Sequence, residues 1–435
     1  MDQFAGGRSR RGTTFAAVLA VGAFFSVIVA VAQPPWEAPD EPDHVQNVET
    51  LVGGRWYHIG DPGSGFESHQ APLYYLLLAG WQHYVLRIAE RPILPASPRG
   101  SVFGLPRLYR HDVVQDGADQ RLVTLLRLVS VMLGLLTVLL TRMMIGQVTL
   151  DQWTPVVGAA FVVGVPRFVS LSGVVNNDNL AITLGAAFLL GCTTLLAGRS
   201  PIPRPALAVG CGVLVGLLTL TKVTGALLAP AAIAAFWFGA AGGWELAACV
   251  VAFFLAALAI SGWWFVTNTM QYGDPLAAAA TVRHLRAVWP LVFQVGSPAH
   301  QVLVGVPAGV FNSFWCGSDL LWLPLYPYEP LWIALGVGIA GLIRYRIPLV
   351  RPAGTLTVLG VAVLGSAMAI WAVGIATTTA SARVGFFGLP ALAALYALGV
   401  ERWRLPVALR FALPIIGMAF GWITIVEHVL GFFPS

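Results

Sequence analysis

Glu37, Asp40, Glu41, Asp43 and His44 put four carboxylates and an imidazole within eight residues, in the segment Trp36-Glu37-Ala38-Pro39-Asp40-Glu41-Pro42-Asp43-His44. Only 10% of the 435 residues are charged, so acid gathered at the edge of an apolar run is a candidate for chemistry. A carboxylate at such a boundary is partly desolvated, which raises its proton affinity and suits a general base. Asp40 is the leading candidate for that base, with Glu41 beside it. Capping is the bland alternative: Asp40 and Glu41, between Pro39 and Pro42, lie at a turn opening a helix, where acids satisfy free N–H groups, and Asp43 fits this role best. One cap does not need four acids. His44, one turn after Asp40, can orient a carboxylate, bind an anion or be an ordinary interfacial residue.

Two further polar clusters carry candidates. In Glu67-Ser68-His69-Gln70-Ala71-Pro72-Leu73-Tyr74-Tyr75, His69 and Gln70 are hydrogen-bonding groups suited to a phosphate or sugar, or to a plain polar turn. In Asn176-Asn177-Asp178-Asn179, three amides flank one acid, a composition that suits a hydroxyl-rich ligand. Its alternative is again capping, by Asn177 or Asp178. Lys222, Arg127, Arg167 and Arg383 lie near helix ends on the same side as Asp40, and Arg283 and Arg286 lie in a long loop there. A cation at such an interface either snorkels or finds an anion, and several around one acidic site suggest a lipid phosphate. Lys222 is the best single candidate, with Gly225 close by.

The elements that must position these residues are apolar helices. The chain is 57% hydrophobic with a mean hydropathy of +0.76, a balance no soluble core explains. The fold class is an all-α, polytopic transmembrane helix bundle, because apolar runs of roughly 20 residues each cross a bilayer as a helix. About eleven spans are expected, at 13–32, 122–141, 153–172, 179–197, 205–221, 224–241, 245–265, 330–343, 353–375, 386–400 and 407–429. The first run imitates a signal peptide, but it is long and Pro34-Pro35 follow its end, so a retained helix is expected. Residues 33–120 form an external loop with interfacial helices at 40–53 and 72–88; the second, rich in Tyr and Trp, could instead cross and invert everything downstream.

Charge decides between the two topologies. With 72–88 outside, Arg142, Arg199, Arg204, Arg344, Arg346, Arg351, Arg402 and Arg404 all fall in cytoplasmic loops, a consistent positive-inside pattern. A plasma-membrane protein with a cytoplasmic N-terminus and an extracytoplasmic site follows. Residues 266–329 form a second external loop, with a partly embedded hairpin expected at 302–310. The chain reads as one membrane domain: a catalytic module over 1–265, then that loop and the C-terminal spans over 266–435. The net charge of +5 is spread over short loops and is no nucleic-acid signal. Cys192, Cys211 and Cys249 lie in apolar spans and Cys316 stands alone, so neither disulfides nor a zinc site are expected. No Walker loop, Gly-x-Ser-x-Gly, His-Glu-x-x-His or dinucleotide fingerprint occurs in a credible context.

In their order along the chain, the Asp40-Glu41 pair, His69-Gln70-Ala71-Pro72-Leu73-Tyr74-Tyr75, Val175-Asn176-Asn177-Asp178-Asn179-Leu180-Ala181, Leu220-Thr221-Lys222-Val223-Thr224-Gly225, Trp263-Trp264 with Tyr272-Gly273-Asp274-Pro275-Leu276, and Asn312-Ser313-Phe314-Trp315 resemble the integral-membrane glycosyltransferases of the C superfamily. Bacterial members akin to the protein mannosyltransferases and the aminoarabinose lipid A transferase are the most similar. The resemblance implies transfer of a sugar from a polyprenyl-phosphate donor, outside the membrane, to a lipid, glycan or protein acceptor. It implies Asp40 as base with Glu41 beside it, Asp178 on the acceptor, and Lys222 or nearby donors such as Arg383 on the phosphate. His44, His69, Gln70 and Asn177 then face acceptor or sugar. Some superfamily members use a divalent cation, Mg or Mn; no metal-ligand set is evident here. Three motifs depart from the pattern: Gln70-Ala71 replaces Lys-Pro, Thr267-Asn268 replaces Arg-Asn, and Ala382-Arg383-Val384 replaces Gly-Arg-Tyr. The rival expectations are a transporter or lipid flippase, which should carry mid-depth charges and matching halves, and a family member that has lost catalysis and serves as a scaffold.

Overall fold

A computed structural model describes residues 2–33, 35, 38, 40–61, 65–89, 117–288, 298–316, 328–344, 352–377 and 381–425. Glu37, Arg346 and Arg351 lie outside the described residues. Helix α1 (Asp2–Ala32) is followed by α2 (Glu41–Val52) and α3 (Leu73–Gly80), which a π turn extends through Trp81–Leu86. Then come α4 (Gly117–Val148), α5 (Thr154–Val163), α6 (Pro166–Leu171), α7 (Asp178–Ala197), α8 (Arg204–Thr221), α9 (Ala229–Gly239) and α10 (Gly243–Tyr272). A shorter α11 (Ala278–Val288) and α12 (Val306–Trp315) precede α13 (Glu329–Arg344), α14 (Thr355–Thr377), α15 (Leu389–Arg402) and α16 (Ala412–Ile425).

Among the described residues, seven helical stretches are long and apolar enough to cross a membrane: Arg10–Ala32, Gln120–Val148, Asp178–Ala197, Arg204–Thr221, Gly243–Tyr272, Thr355–Ala376 and Ala382–Arg402. Four shorter apolar stretches, Thr154–Val163, Val223–Gly239, Glu329–Ile343 and Ala412–Ile423, occupy the other four expected segments. The chain is a polytopic helical membrane protein. α3 and its π turn together hold 8 and 6 residues, about 21 Å of helix, which is short of the roughly 30 Å hydrocarbon core.

Four details differ from the sequence-based expectation. The expected span 153–172 is two helices, because Pro166 has no N–H to continue α5 and instead starts α6. The span expected at 245–265 runs on to Tyr272, where Gly273 at φ 75° ends it in the left-handed region. The expected hairpin at 302–310 lies within helical turns, since the π turn Gln301–Gly305 runs directly into α12. Helix α2 does not lie exposed along a surface, as eight of its residues are buried, Val45 and Val48 against Tyr74, Tyr75 and Leu78 of α3 and Leu122 and Leu126 of α4.

The bundle is packed through small residues, as expected where lipid offers helices no hydrophobic gain from pairing. Gly185 of α7 is the clearest case: a Cβ there would stand 2.2 Å from the carbonyl oxygen of Phe387. That contact sets α7 against the 3₁₀ turn Ala382–Gly388, which carries Arg383. All four cysteines are buried and none is in a disulfide.

Candidate active site

Four helix ends converge. Asp40 follows α1 and directly precedes α2; Asp178 opens α7; Lys222 closes α8; Arg383 sits in the turn before α15. Because these helices alternate in direction, the chain brings all four residues to one end of the bundle. Lys222 has an extended backbone, φ −152° and ψ 112°, between α8 and the 3₁₀ turn Val223–Leu228, so its side chain leaves the helix axis at that break.

The four side chains form an alternating sequence of acid and cation. Arg383 Nη2 donates to Asp40 Oδ2, and Arg383 Nε stands 4.0 Å from Asp178 Oδ2. Lys222 Nζ donates to Asp178 Oδ1. No member of the group is more than 17% exposed, so water screens these charges weakly and each depends on its neighbours. Asp40 itself has φ 64°, left-handed backbone that few non-glycine residues adopt but Asp tolerates. Its side chain does not cap α2.

Glu41 stands outside this group. Its carboxylate takes Arg127 Nε at 2.8 Å and Nη2 at 2.6 Å, and Oε1 also takes the Val175 N–H at 3.0 Å. Arg127 Nη1 in turn donates to the carbonyls of Ala30 and Gln33. Both side chains are at most 1% exposed. Glu41, expected beside Asp40, ties the start of α2 to the end of α1, to α4 and to the loop before α7.

The expected polar residues are also assembled, largely through one another. His44 Nδ1 lies 2.8 Å from the Tyr75 hydroxyl, the rings stacked at 5.7 Å. Burial, the largest cause, lowers the His44 pKa to about 3, with Asp40 opposing and Arg383 reinforcing it, so this ring is neutral. His69 Nδ1 donates to the Phe66 carbonyl at 3.0 Å, and burial lowers its pKa to about 4. Its Nε2 then accepts from Gln70 Nε2 at 3.2 Å. Gln70 Oε1 accepts from Asn177 Nδ2, which also donates to the Thr221 carbonyl, both at 3.2 Å. This amide chain runs from the first loop to the start of α7 and the end of α8, so Gln70 acts as a neutral link where the resembled motif carries Lys. Neither imidazole supplies charge for an anion.

Capping is assigned otherwise than expected. Asn176 Oδ1 accepts the Asp178 N–H at 2.8 Å, which leaves the Asp178 carboxylate for Lys222. Asn179 Nδ2 donates to the carbonyls of Leu171, Val174 and Asn176 and holds the loop itself. Asp43 Oδ1 accepts the Phe66 N–H at 2.9 Å and so fixes the 3₁₀ turn Phe66–His69. Ser313 Oγ accepts the Ala382 N–H at 2.8 Å, anchoring the Arg383 turn to α12. Gly225 packs against Leu218. Arg167 is 2% exposed, while Arg283 and Arg286 are exposed on α11.

One residue was overlooked. Glu67 was quoted within its cluster and given no role, yet it is 5% exposed and its Oε2 accepts from Gln70 Nε2 at 2.8 Å. Among the described residues no three His, Cys, Asp or Glu side chains group as a metal site.

No protein-family model matches the chain. No curated protein matches it either. Solved structures do match, and the chain shares its fold with ArnT and AftD. It is similar to ArnT from Cupriavidus metallidurans bound to undecaprenyl phosphate, with TM-score 0.52 and 17% identity over 97% of this chain and 65% of that one. The same protein in the apo state gives TM-score 0.50 at 15% identity, over 99% of this chain and 66% of that one. The arabinofuranosyltransferase AftD from Mycobacteria gives TM-score 0.50 at 14% identity, over 93% of this chain and 28% of that one. The chain thus spans about two thirds of the length of ArnT.

Proposed function

We propose that the protein is a glycosyltransferase that moves a sugar from a polyprenyl-phosphate donor to an acceptor hydroxyl at the extracytoplasmic face of the plasma membrane. The observation that carries this is the alternation Asp40, Arg383, Asp178, Lys222 at one end of the bundle. Two half-buried cations suit a phosphate leaving group and two acids suit a hydroxyl nucleophile, all within reach of a single sugar. ArnT, whose fold the chain shares, has been solved with undecaprenyl phosphate bound.

Asp40 is the general base. It takes the proton of the acceptor hydroxyl as that oxygen bonds to the anomeric carbon. The bond from that carbon to the phosphate oxygen breaks with its electron pair on the phosphate. Arg383 and Lys222 stabilise the charge that develops there, in a site that screens it weakly. One carboxylate acting directly on the acceptor gives a single displacement with inversion. Asp178 holds Lys222 and Arg383 in place and receives the acceptor. His44, Gln70 and Asn177 are neutral hydrogen-bonding groups around the sugar, and Glu41 fixes the start of α2. The divalent cation of some superfamily members is assigned no step, because the described residues offer it no ligand group.

The test is turnover by the purified protein in nanodiscs supplied with a panel of radiolabelled polyprenyl-phosphate sugars and cell-envelope acceptors. Transfer by the wild type, lost in Asp40→Asn at equal protein level, supports the reading. Transfer that persists in Asp40→Asn removes the base, and no transfer from any donor removes the reaction.

A further inference from the structure

Of the buried acids at this end, Asp40 has Arg383, Asp178 has Lys222 and Glu41 has Arg127, while Asp43 accepts the Phe66 N–H and Glu49 accepts from the Gln82 amide. Glu67 is buried too, and among the described residues no cation forms an ion pair with it. Its one side-chain partner is the neutral Gln70 amide, on Oε2. Oε1 has no hydrogen-bond partner among the described residues. The position is nonetheless built: Asn47 Nδ2 donates to the Glu67 carbonyl at 3.0 Å, and the Gln70 N–H donates to it at 3.1 Å. Asp43 holds the preceding residue through the Phe66 N–H. Ser68 lies 3.3 Å from His284 of α11. A carboxyl that the fold fixes and buries beside Asp40 and Asp43, with no cation bonded to it, is stable as the acid rather than the anion.

We propose that Glu67 is an uncharged binding residue of the donor site, a protonated carboxyl that pairs through Oε1 with an oxygen of the sugar phosphate. This rests on the donor reading above. A carboxylic acid carries one donor and one acceptor side by side, the pattern a sugar hydroxyl or a phosphate oxygen can meet. The ionised form would set a third negative charge beside Asp40 and Asp43 and repel the donor's phosphate. The groups that face Glu67 are Asp40 and Asp43 around the start of α2, Tyr75 of α3, Gln70 and His69 on its own turn, His284 of α11 beyond Ser68, and Arg383. Burial first and Asp40 second push its pKa up to about 8, Asp43 adding to this and Gln70 and Arg383 opposing it.

The experiment measures binding of undecaprenyl phosphate to the full-length protein in detergent, by tryptophan fluorescence, from about pH 6.5 to about pH 9.5. Wild-type affinity should fall above about pH 8, by about tenfold at the alkaline end. Glu67→Gln keeps shape and neutrality, so it should match the wild type at low pH and hold its affinity as pH rises. Parallel curves for the two proteins overturn the proposal, as does a folded Glu67→Gln that fails to bind at low pH. Should that variant misfold, infrared spectra of the ¹³C-glutamate-labelled wild type decide: a protonated-carboxyl band that fades through this range is expected, and its absence near neutrality overturns the proposal. Wild-type protein that binds no undecaprenyl phosphate at any pH removes the donor reading and the role of Glu67 together, whereas pH-independent binding removes that role alone.

Discussion

Asp40 is held by its cation. Arg383 donates to the oxygen that accepts a proton in the proposed reaction, so in that reaction an incoming phosphate and Asp40 compete for one guanidinium. Asp40→Asn tests both halves of that statement, and Asn tolerates the left-handed φ of 64° as Asp does. Turnover should fall by about 10²–10⁴-fold, the range for loss of a general base. Undecaprenyl phosphate should bind the same variant roughly tenfold more tightly, because Arg383 no longer serves a carboxylate, equivalent to about 1.4 kcal/mol. Equal or weaker binding in a fluorescence titration contradicts the competition. His44 makes a prediction of the opposite kind. Its folded pKa of about 3 lies below the ordinary 6.5, so the unfolded chain takes up a proton that the folded ring refuses. Stability from this residue is present above about pH 6.5 and is lost as pH falls toward 3. Between about pH 7 and about pH 5 the loss is about 2 kcal/mol. Thermal melts at the two pH values should separate less in His44→Phe than in the wild type.

The elements explain what the sequence could and could not disclose. Asp40, Asp178 and Lys222 stood out because each is a charge at the edge of an apolar run, and such a charge has few roles in a membrane. The allocation of partners was not visible. Arg127 and Arg383 are both outer-end arginines by sequence, yet one meets Glu41 and the other Asp40, separations of 86 and 343 residues that only packing decides. The break between α5 and α6 was signalled by Pro166, but hydropathy ran on across it. Glu67 was missed because its burial beside Asp40 and Asp43 is a matter of packing, which residue types alone do not display. The Glu41–Arg127 pair carries the prediction at this scale. Losing one partner of a buried pair strands the other, at a cost of about 3–5 kcal/mol. Glu41→Ala should therefore lower thermal stability more than the double variant Glu41→Leu with Arg127→Met. A single variant that melts like the wild type shows that the pair does not hold α2.

For the whole molecule, the two ends of the bundle differ in charge. The site lies at one end, while Arg199, Arg204, Arg402 and Arg404 lie at the opposite ends of α7, α8 and α15. Asp151 and Arg410 pair there at 3.0 Å, and Glu401 accepts from Thr149 and Thr154. The proposed topology puts that end in the cytoplasm, in keeping with the positive-inside rule. With the native cysteines buried, His58→Cys in intact cells should react with a membrane-impermeant maleimide, and Ser200→Cys should react only after permeabilisation. The reverse labelling pattern inverts the topology and moves the site to the cytoplasm. The apolar spans were legible because a bilayer demands continuous hydropathy; the depth of burial of α2 was not, since its polar residues serve one another.

Asp40 leaves the ribosome early and its partner Arg383 late, 343 residues further on. Until the turn before α15 is delivered, a nascent chain carries that acid without Arg383. Biogenesis thus cannot complete the centre stepwise from the first helices: a truncated product holding most of the spans would still lack the Arg383 contact to Asp40. Co-expressed fragments split in the 266–329 loop should recover the centre only when the later piece finds the earlier one.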